Sequence, residues 1–399
     1  MKRKKGNADR LTAGGWWSRN RWSCVILAAA LVLFIVVRMA AVTFEQPQPR
    51  GDEYAEYETG VVTDILSDST EADTVADGGY RGEQLLLAQV RSGQYKGETM
   101  QVYNYVGPLY GQPLKVGQRA VLLISTYSDG SHNATVYEYD RAVGLAVIVG
   151  LFLLATVLVG GKVGAKSLVA LAVTLVCLFW ILIPLLMKGA STLLTVFLVC
   201  AYITVVTMVI LGGVCRKTVC AALGTVAGTA LALLFGLLSQ SLLRIDGLRL
   251  TDVEPLLQLR QTGTPLSLRG LLVAGVVISA LGAVMDVAMS ISSALTEVHT
   301  VAPDRDGRAL FRSGMNIGRD MVGTMTNTLI LAFLGSGLSF IIYLYSLGLD
   351  PRQLISSPYM ATEVISGIAS SIGVILAVPL TALITSLLLG SKKTALLAK

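Results

Sequence analysis

The amino-acid sequence predicts a polytopic α-helical membrane protein of about eight transmembrane helices, with a small extracytoplasmic all-β domain, an OB-like barrel, between the first and second helices. Three observations carry that prediction. Of the 399 residues 53% are hydrophobic and only 15% charged, where a soluble domain carries roughly 25% charged residues; mean hydropathy is +0.65. Apolar runs of about 20 residues recur, the length that crosses a hydrocarbon layer of about 30 Å. Residues 45–141 break the pattern, with short β-branched and aromatic stretches separated by Gly, Asp, Ser and Pro.

In chain order, residues 1–22 form a basic N-terminal segment, MKRKKGNADRLTAGGWWSRNRW, with aromatics suited to the membrane interface. Residues 23–44 read as a retained transmembrane anchor, because no small-x-small cleavage site precedes the acidic stretch that follows. Residues 45–141 hold about five strands, in EYETGVVTDIL, EQLLLAQVRSG, ETMQVYNYVG, QRAVLLISTYSDG and ATVYEYD. Residues 142–390 are expected to form a seven-helix membrane domain, with spans near 142–160, 166–187, 190–213, 218–243, 270–294, 321–349 and 362–390. Residues 391–399 form a tail. Lysines and arginines concentrate in Lys2–Arg21, Lys162–Lys166, Arg216–Lys217, Arg305–Arg319 and Lys392–Lys399. The positive-inside rule then puts both termini in the cytoplasm and the β-domain outside.

The net charge of +6 sits largely in these short basic segments, so it argues for helix orientation and against a nucleic-acid partner. None of the five cysteines falls within residues 45–141, so that domain has no disulfide to form. With two histidines in the chain a His-rich zinc site is not expected, and no cofactor motif appears. The acidic loop Ser67–Gly79 carries Asp68, Glu71, Asp73 and Asp77 at spacings that do not make a calcium loop; it reads as solvated. No phosphate-binding Gly-rich motif is present, so ATP-driven transport by this chain alone is not supported.

The informative residues are polar ones inside apolar spans. Asp286, Ser290, Ser293 and Glu297 fall within roughly 60° of one another on a helix and make one narrow polar face. In the next span Asn316, Asp320 and Asn327 share a face that Thr324 and Thr328 widen. A carboxylate facing lipid near mid-membrane costs at least about 2.5–3.5 kcal/mol on insertion scales. The two faces are therefore expected to meet each other or to line a hydrated cavity. The plainer reading gives Asp320 to the cytoplasmic end of its helix and the hydroxyls to backbone bonding. Asp286 is expected deeper, beyond the reach of such end effects.

The stretches LGAVMDVAMSISSALTEV and GRDMVGTMTNTLILAFLG, with VRSGQYKGETMQVYNYV, PLKVGQRAVLL and YEYDR upstream, resemble the YibE/F family of bacterial multi-pass membrane proteins. The resemblance spans Tyr57 to about Leu389. It implies the fold and a bacterial plasma-membrane location, and a general assignment to membrane or transport proteins, but no substrate.

From the residues themselves, intramembrane carboxylates backed by amides and hydroxyls point to an ion-coupled permease for a small ion or solute. The other reading is an envelope-facing scaffold or signalling protein whose β-domain binds a protein or cell-envelope partner. An enzyme is not expected: Asp320 stands in Ile317-Gly318-Arg319-Asp320, not in the Gly-x-Gly-Asp context of intramembrane aspartyl proteases. Asp286, Ser290, Ser293, Glu297, Asn316, Asp320, Thr324 and Asn327 are thus the candidate transport or ion-binding residues.

Overall fold

The computed structural model describes residues 13–41, 54–127, 131–245, 253–261 and 263–390. The first part of the basic N-terminal segment and the tail 391–399 lie outside the described residues. The chain divides into two units, residues 46–158 and residues 1–45 with 159–399.

The first unit is built on strands β1 (Tyr54–Asp68), β2 (Glu71–Ala72), β3 (Tyr80–Val90), β4 (Thr99–Val106), β5 (Arg119–Thr126) and β6 (His132–Tyr139). The sheet order is β1-β5-β6-β4-β3-β2, and β1 also pairs with β3, so the five long strands close into a barrel. Only β4 and β6 run parallel, which follows from the crossover that carries β5 to the far side of β1. Alternation sets the inside: Leu86, Ala88 and Val90 on β3, Val102 on β4, and Ala120, Leu122 and Ile124 on β5 fill the core. Two amides share that interior. Asn104 donates to Gln84 Oε1 at 2.9 Å, Gln84 Oε1 also accepts from the Leu114 backbone N–H at 2.8 Å, and Gln84 Nε2 donates to Asp68 at 2.8 Å. These bonds fasten the β4–β5 connection across the barrel.

In the acidic loop, Asp73 accepts hydrogen bonds from the Arg81 guanidinium and the Ala76 and Val75 backbone N–H groups. The Arg81 bond first, and the two backbone donors after it, hold the carboxyl down at about 2. Asp68 is lowered mainly by the Thr70 hydroxyl and backbone N–H.

The second unit is helical. Helix α1 (Ala13–Ala41) contains the apolar segment Ser23–Met39. Helix α2 (Ala142–Cys177), whose residues up to Leu158 belong to the first unit, runs through a π-helical turn, Leu178–Leu182, into α3 (Ile183–Met187), a stretch of 46 residues. Gly161 interrupts it at φ 53°, ψ −133°, a conformation that glycine adopts without the penalty a Cβ would bring. Helices α4 (Thr192–Gly212), α5 (Arg216–Leu242), α7 (Leu271–Val301) and α11 (Pro358–Gly390) are each long and apolar enough to cross a membrane. With the α2–α3 run that makes five such helices among the described residues. A sixth is gained if α8 (Gly307–Ser336) and α9 (Leu338–Ser346), bent by 61° at their junction, form one span. Short α6 (Val253–Gln261) and α10 (Pro351–Ile355) complete the set. Leu256, Leu257 and Leu259 of α6 pack against the cluster formed by the end of the α2–α3 run, α4 and the start of α7.

Glycines bring α5, α7, α8 and α11 close. A methyl at Gly228 would meet Ala377 and Val284; one at Gly373 would meet Ala232; one at Gly314 would meet Ala382 and Leu295. Without a hydrophobic drive between helices in lipid, such close backbone approach is what holds membrane helices together. Val284, Val287, Ile291 and Leu295 of α7 fill the resulting core with Val374, Ala377 and Val378 of α11.

Candidate functional site

Helix α7 separates its two faces sharply. Ala280, Val284, Val287, Ile291 and Leu295 point into the bundle and are buried. On the opposite side Gly275, Ser279, Gly282, Asp286, Ser290 and Glu297 are exposed, with Ser293 half-buried. The helical period that aligned Asp286 with Ser290, Ser293 and Glu297 therefore holds, and the face continues outward through two glycines and Ser279. Ser279 Oγ lies 3.0 Å from Ser370 Oγ on α11, which ties the edge of this face to the bundle. Asp286 makes no hydrogen bond or ion pair among the described residues.

Helix α8 repeats the division. Leu310, Gly314 and Gly318 are buried, while Asn316, Asp320, Gly323, Thr324, Asn327 and Thr328 are exposed. Thr328 donates to the Thr324 carbonyl at 2.9 Å and Thr324 to the Met321 carbonyl at 3.1 Å, the local bonding expected of hydroxyls in membrane helices. Arg319 reaches Asn316 Oδ1 on its own helix at 3.5 Å.

One arm of an expectation and the plainer reading of Asp320 are corrected. The polar faces of α7 and α8 do not meet inside the chain. The side of α8 that packs on α7 and α11 is the glycine side, where Gly314 and Gly318 admit Leu295, Ile291 and Val378, so the polar side is turned outward. No hydrogen bond or ion pair joins Asp286, Ser290, Ser293 or Glu297 to Asn316, Asp320, Thr324 or Asn327 among the described residues. Nor does Asp320 cap a helix. Helix α8 begins at Gly307, so Asp320 stands well inside it, away from the dipole end that would have explained an acid there. The stretch left between the expected spans 270–294 and 321–349 is mostly helix, leaving a short connection between Val301 and Gly307.

A further carboxylate belongs to this description. Glu363, near the start of α11, is half-buried and borders a cavity of about 260 Å³ otherwise lined by apolar residues and glycine, including Ile330, Phe333, Gly337, Met360 and Gly367. The cavity sits at the break between α8 and α9. Its sequence signal was a lone acid at the edge of an apolar run, which by itself also fits a helix end. A second set of residues is hydroxylic. Thr225 and Thr229 on α5 bond carbonyls of their own helix at 2.9 and 3.0 Å. Thr381 on α11 is fully buried against Gly224, and its hydroxyl has no partner among the described residues.

Among the described residues no group of three or more His, Cys, Asp or Glu side chains is placed to hold a metal ion. All five cysteines are free thiols. The site is therefore one of single carboxylates set among hydroxyls and amides on long membrane-grade helices. The sequence model of the YibE/F-like proteins matches residues 148–391, which include all of these helices from α4 onward. The chain belongs to the YibE/F-like family. The match covers Asp286, Asp320 and Glu363 and the glycine-packed core alike, and leaves out the barrel. No curated protein and no solved structure matches the chain.

Proposed function

We propose that this YibE/F-like protein is an ion-coupled permease, with Asp286 as the carboxylate that titrates or binds the coupling ion. The observation that carries the reading is Asp286 itself: a carboxylate without a partner among the described residues, within a 31-residue apolar helix, on a face of glycines and hydroxyls. Ionisable groups in such positions belong to ion pathways far more readily than to lipid-facing surfaces. Ser290 and Ser293 supply neutral oxygens beside it, and Asp320, Thr324 and Asn327 offer a second polar track on the neighbouring helix. The bend between α8 and α9 supports the same reading, since discontinuous spans are a recurring feature of substrate and ion sites in transporters.

The reading takes Ser23–Met39, the two parts of the α2–α3 run divided at Gly161, α4, α5, α7, the α8–α9 pair and α11 as eight spans. Both termini then lie in the cytoplasm of a bacterial cell and an OB-like barrel lies outside. It assigns no enzymatic step. The experiment is flux in proteoliposomes loaded with a pH-sensitive dye under imposed cation gradients. Asp286→Asn abolishes flux and Asp286→Glu retains part of it. Equal flux from wild type and Asp286→Asn for every ion tested would remove the reading.

A second reading has an observation of its own. Tyr57, Tyr103, Tyr105, Tyr137 and Tyr139 are exposed on the outer side of the barrel, with Tyr57 and Tyr137 edge-to-face at 5.0 Å. Such aromatic surface suits a protein or cell-envelope partner. In that case Asp286→Asn leaves partner capture unchanged, and Tyr105→Ala weakens it.

A further inference from the structure

The outward faces of α7 and α8 carry opposite charge and leave it unpaired. The α7 face holds Asp286 and Glu297 and no cation, whereas the α8 face holds Arg308, Arg312 and Arg319 against the single acid Asp320. The ion pairs among the described residues are Arg81–Asp73 and Arg141–Glu138, both in the barrel unit. Among the described residues, none of these helix charges is thus neutralised within its own chain.

The packing of α8 on α7 also fixes which residues share a depth. Gly318 lies against Ile291 and Gly314 against Leu295, so the helices are antiparallel and each step forward on one matches a step back on the other. Glu297 is therefore level with Arg312, Ser293 with Asn316, Asp286 with Gly323 and Gly282 with Asn327. In a single chain these pairs are level but point outward from two different helices.

We infer that a second copy of this chain completes the Asp286 site. The two copies are inserted in the same sense and related by a twofold axis along the membrane normal. The α7 face of each lies on the α8 face of the other. This arrangement keeps every residue at its depth, so Glu297 meets Arg312 of the second copy, Ser293 meets Asn316, and Asp286 meets Gly323 and Thr324. Closed twofold pairs of this kind are the commonest oligomers, and each contact is made twice. A methyl built at Gly275, Gly282 or Gly323 meets nothing within 4 Å in the single chain, which leaves room for close approach around the carboxylate. The alternative twofold contact, α7 on α7, opposes Asp286 to Asp286 and Glu297 to Glu297, and like charges facing each other are strongly disfavoured. The consequence for Asp286 rests on the permease reading; the association does not, and is measured without flux.

The test exchanges charge between chains. Full-length wild type, Glu297→Arg and Arg312→Glu are prepared in lipid nanodiscs or mild detergent, each with its own affinity tag. Their oligomeric state is read by native mass spectrometry and light scattering. Wild type is dimeric, and each variant alone shifts toward monomer by at least about tenfold, because both copies of the contact become like-charged. Co-expressed, Glu297→Arg and Arg312→Glu form heterodimers and no homodimers, since both copies of the contact then join one arginine to one glutamate across the pair. A variant that merely misfolds is not rescued by another misfolded chain. As a second measurement, chains carrying Ser293→Cys and Asn316→Cys, in a Cys24→Ser and Cys215→Ser background, are co-expressed and oxidised, and they cross-link between differently tagged copies. Monomeric wild type in nanodiscs, unchanged dimers of both single variants, or no Ser293→Cys to Asn316→Cys cross-link overturns the inference. Flux from a proven monomer defeats the dimer while sparing the permease; a dimer indifferent to Asp286→Asn does the reverse.

Discussion

Gly228→Ala is expected to loosen the helix core by an amount that can be isolated from the ordinary effect of removing a glycine. The new methyl would stand 2.8 Å from Ala377 Cβ and 2.9 Å from Val284 Cγ1. Carbon pairs pack at about 3.5–4.0 Å, so α5 must back away from α11 by a sizeable fraction of an ångström. The Ala377 methyl is fixed to its backbone and cannot rotate aside, and Val284 is fully buried. Overpacking of this kind costs about 1–3 kcal/mol. Alanine also gains roughly 1 kcal/mol over glycine in a helix interior, so Gly228→Ala alone would understate the strain. Gly367→Ala within α11 receives the same gain, and its methyl would stand 3.8 Å from Phe333, an ordinary van der Waals contact. The difference between the two variants therefore reports the overpacking term. At roughly 3 °C per kcal/mol for a unit of this size, Gly228→Ala melts about 3–9 °C below Gly367→Ala. A thiol-reactive dye provides the assay, because Cys177, Cys200 and Cys220 are buried and react on unfolding; Cys24 and Cys215 are replaced by serine first. Equal melting of the two variants, or a higher midpoint for Gly228→Ala, would refute the claim that Gly228 is a contact point of the bundle.

Three further outcomes are expected. Gln84→Ala strips partners from the Asn104 amide and the Leu114 N–H inside the barrel and destabilises that domain by about 2–4 kcal/mol, read by chemical denaturation followed through barrel tyrosine fluorescence. The Asp73 carboxyl, lowered from 3.8 to about 2 chiefly by Arg81, contributes stability above about pH 4 and loses it as pH falls through about 2; the carboxyl-carbon NMR shift of Asp73 should titrate with that low midpoint, and Arg81→Ala should raise it. Thr381→Val replaces an unpartnered buried hydroxyl with a methyl of the same shape, so stability is unchanged or rises by about 1 kcal/mol, measured by the same dye assay; a clear loss would mean that the hydroxyl bonds a water or ion there.

Much of the β-domain was legible because strands announce themselves by alternation: the buried Leu86, Ala88 and Val90 against exposed neighbours are visible in EQLLLAQV. The helices were legible as apolar runs, and the Asp286 face as a period. The partner of each face was not, because residues that point to lipid and residues that point to another helix are equally apolar. The sequence therefore aligned Asp286, Ser290 and Glu297 but had no means of saying that the bundle core lay on the opposite side. The helix from Gly307 to Arg319 lay outside the expected spans for a different reason. Arg308, Arg312 and Arg319 break its apolar run, yet Leu310, Gly314 and Gly318 lie on a buried helical face between them. Glycine hid that face, since it carries no hydrophobic signal although it marks the closest contact. Glu363 escaped because its setting depends on the bend between α8 and α9, which no local pattern announced.

The distribution of small residues links these points. Gly224, Gly228, Gly314, Gly318 and Gly373 all face neighbouring helices at close contact, and the buried faces on which they lie carry no charged residue. Gly275, Gly282 and Gly323 are open, and they share their faces with Asp286, Glu297 and Asp320. Lipid rewards the first arrangement by packing alone. It gives no such reward for the second, since an outward glycine gains nothing from acyl chains and an outward carboxylate is penalised by them. Two adjacent helices that both place open glycines beside carboxylates are therefore shaped for something other than lipid. Water alone would satisfy the charges but has no need of the glycines. Close approach by another helix uses the glycines, and a helix bearing arginines at the matching depth also meets the charge. Both requirements are satisfied together by the face that this chain itself carries on α8.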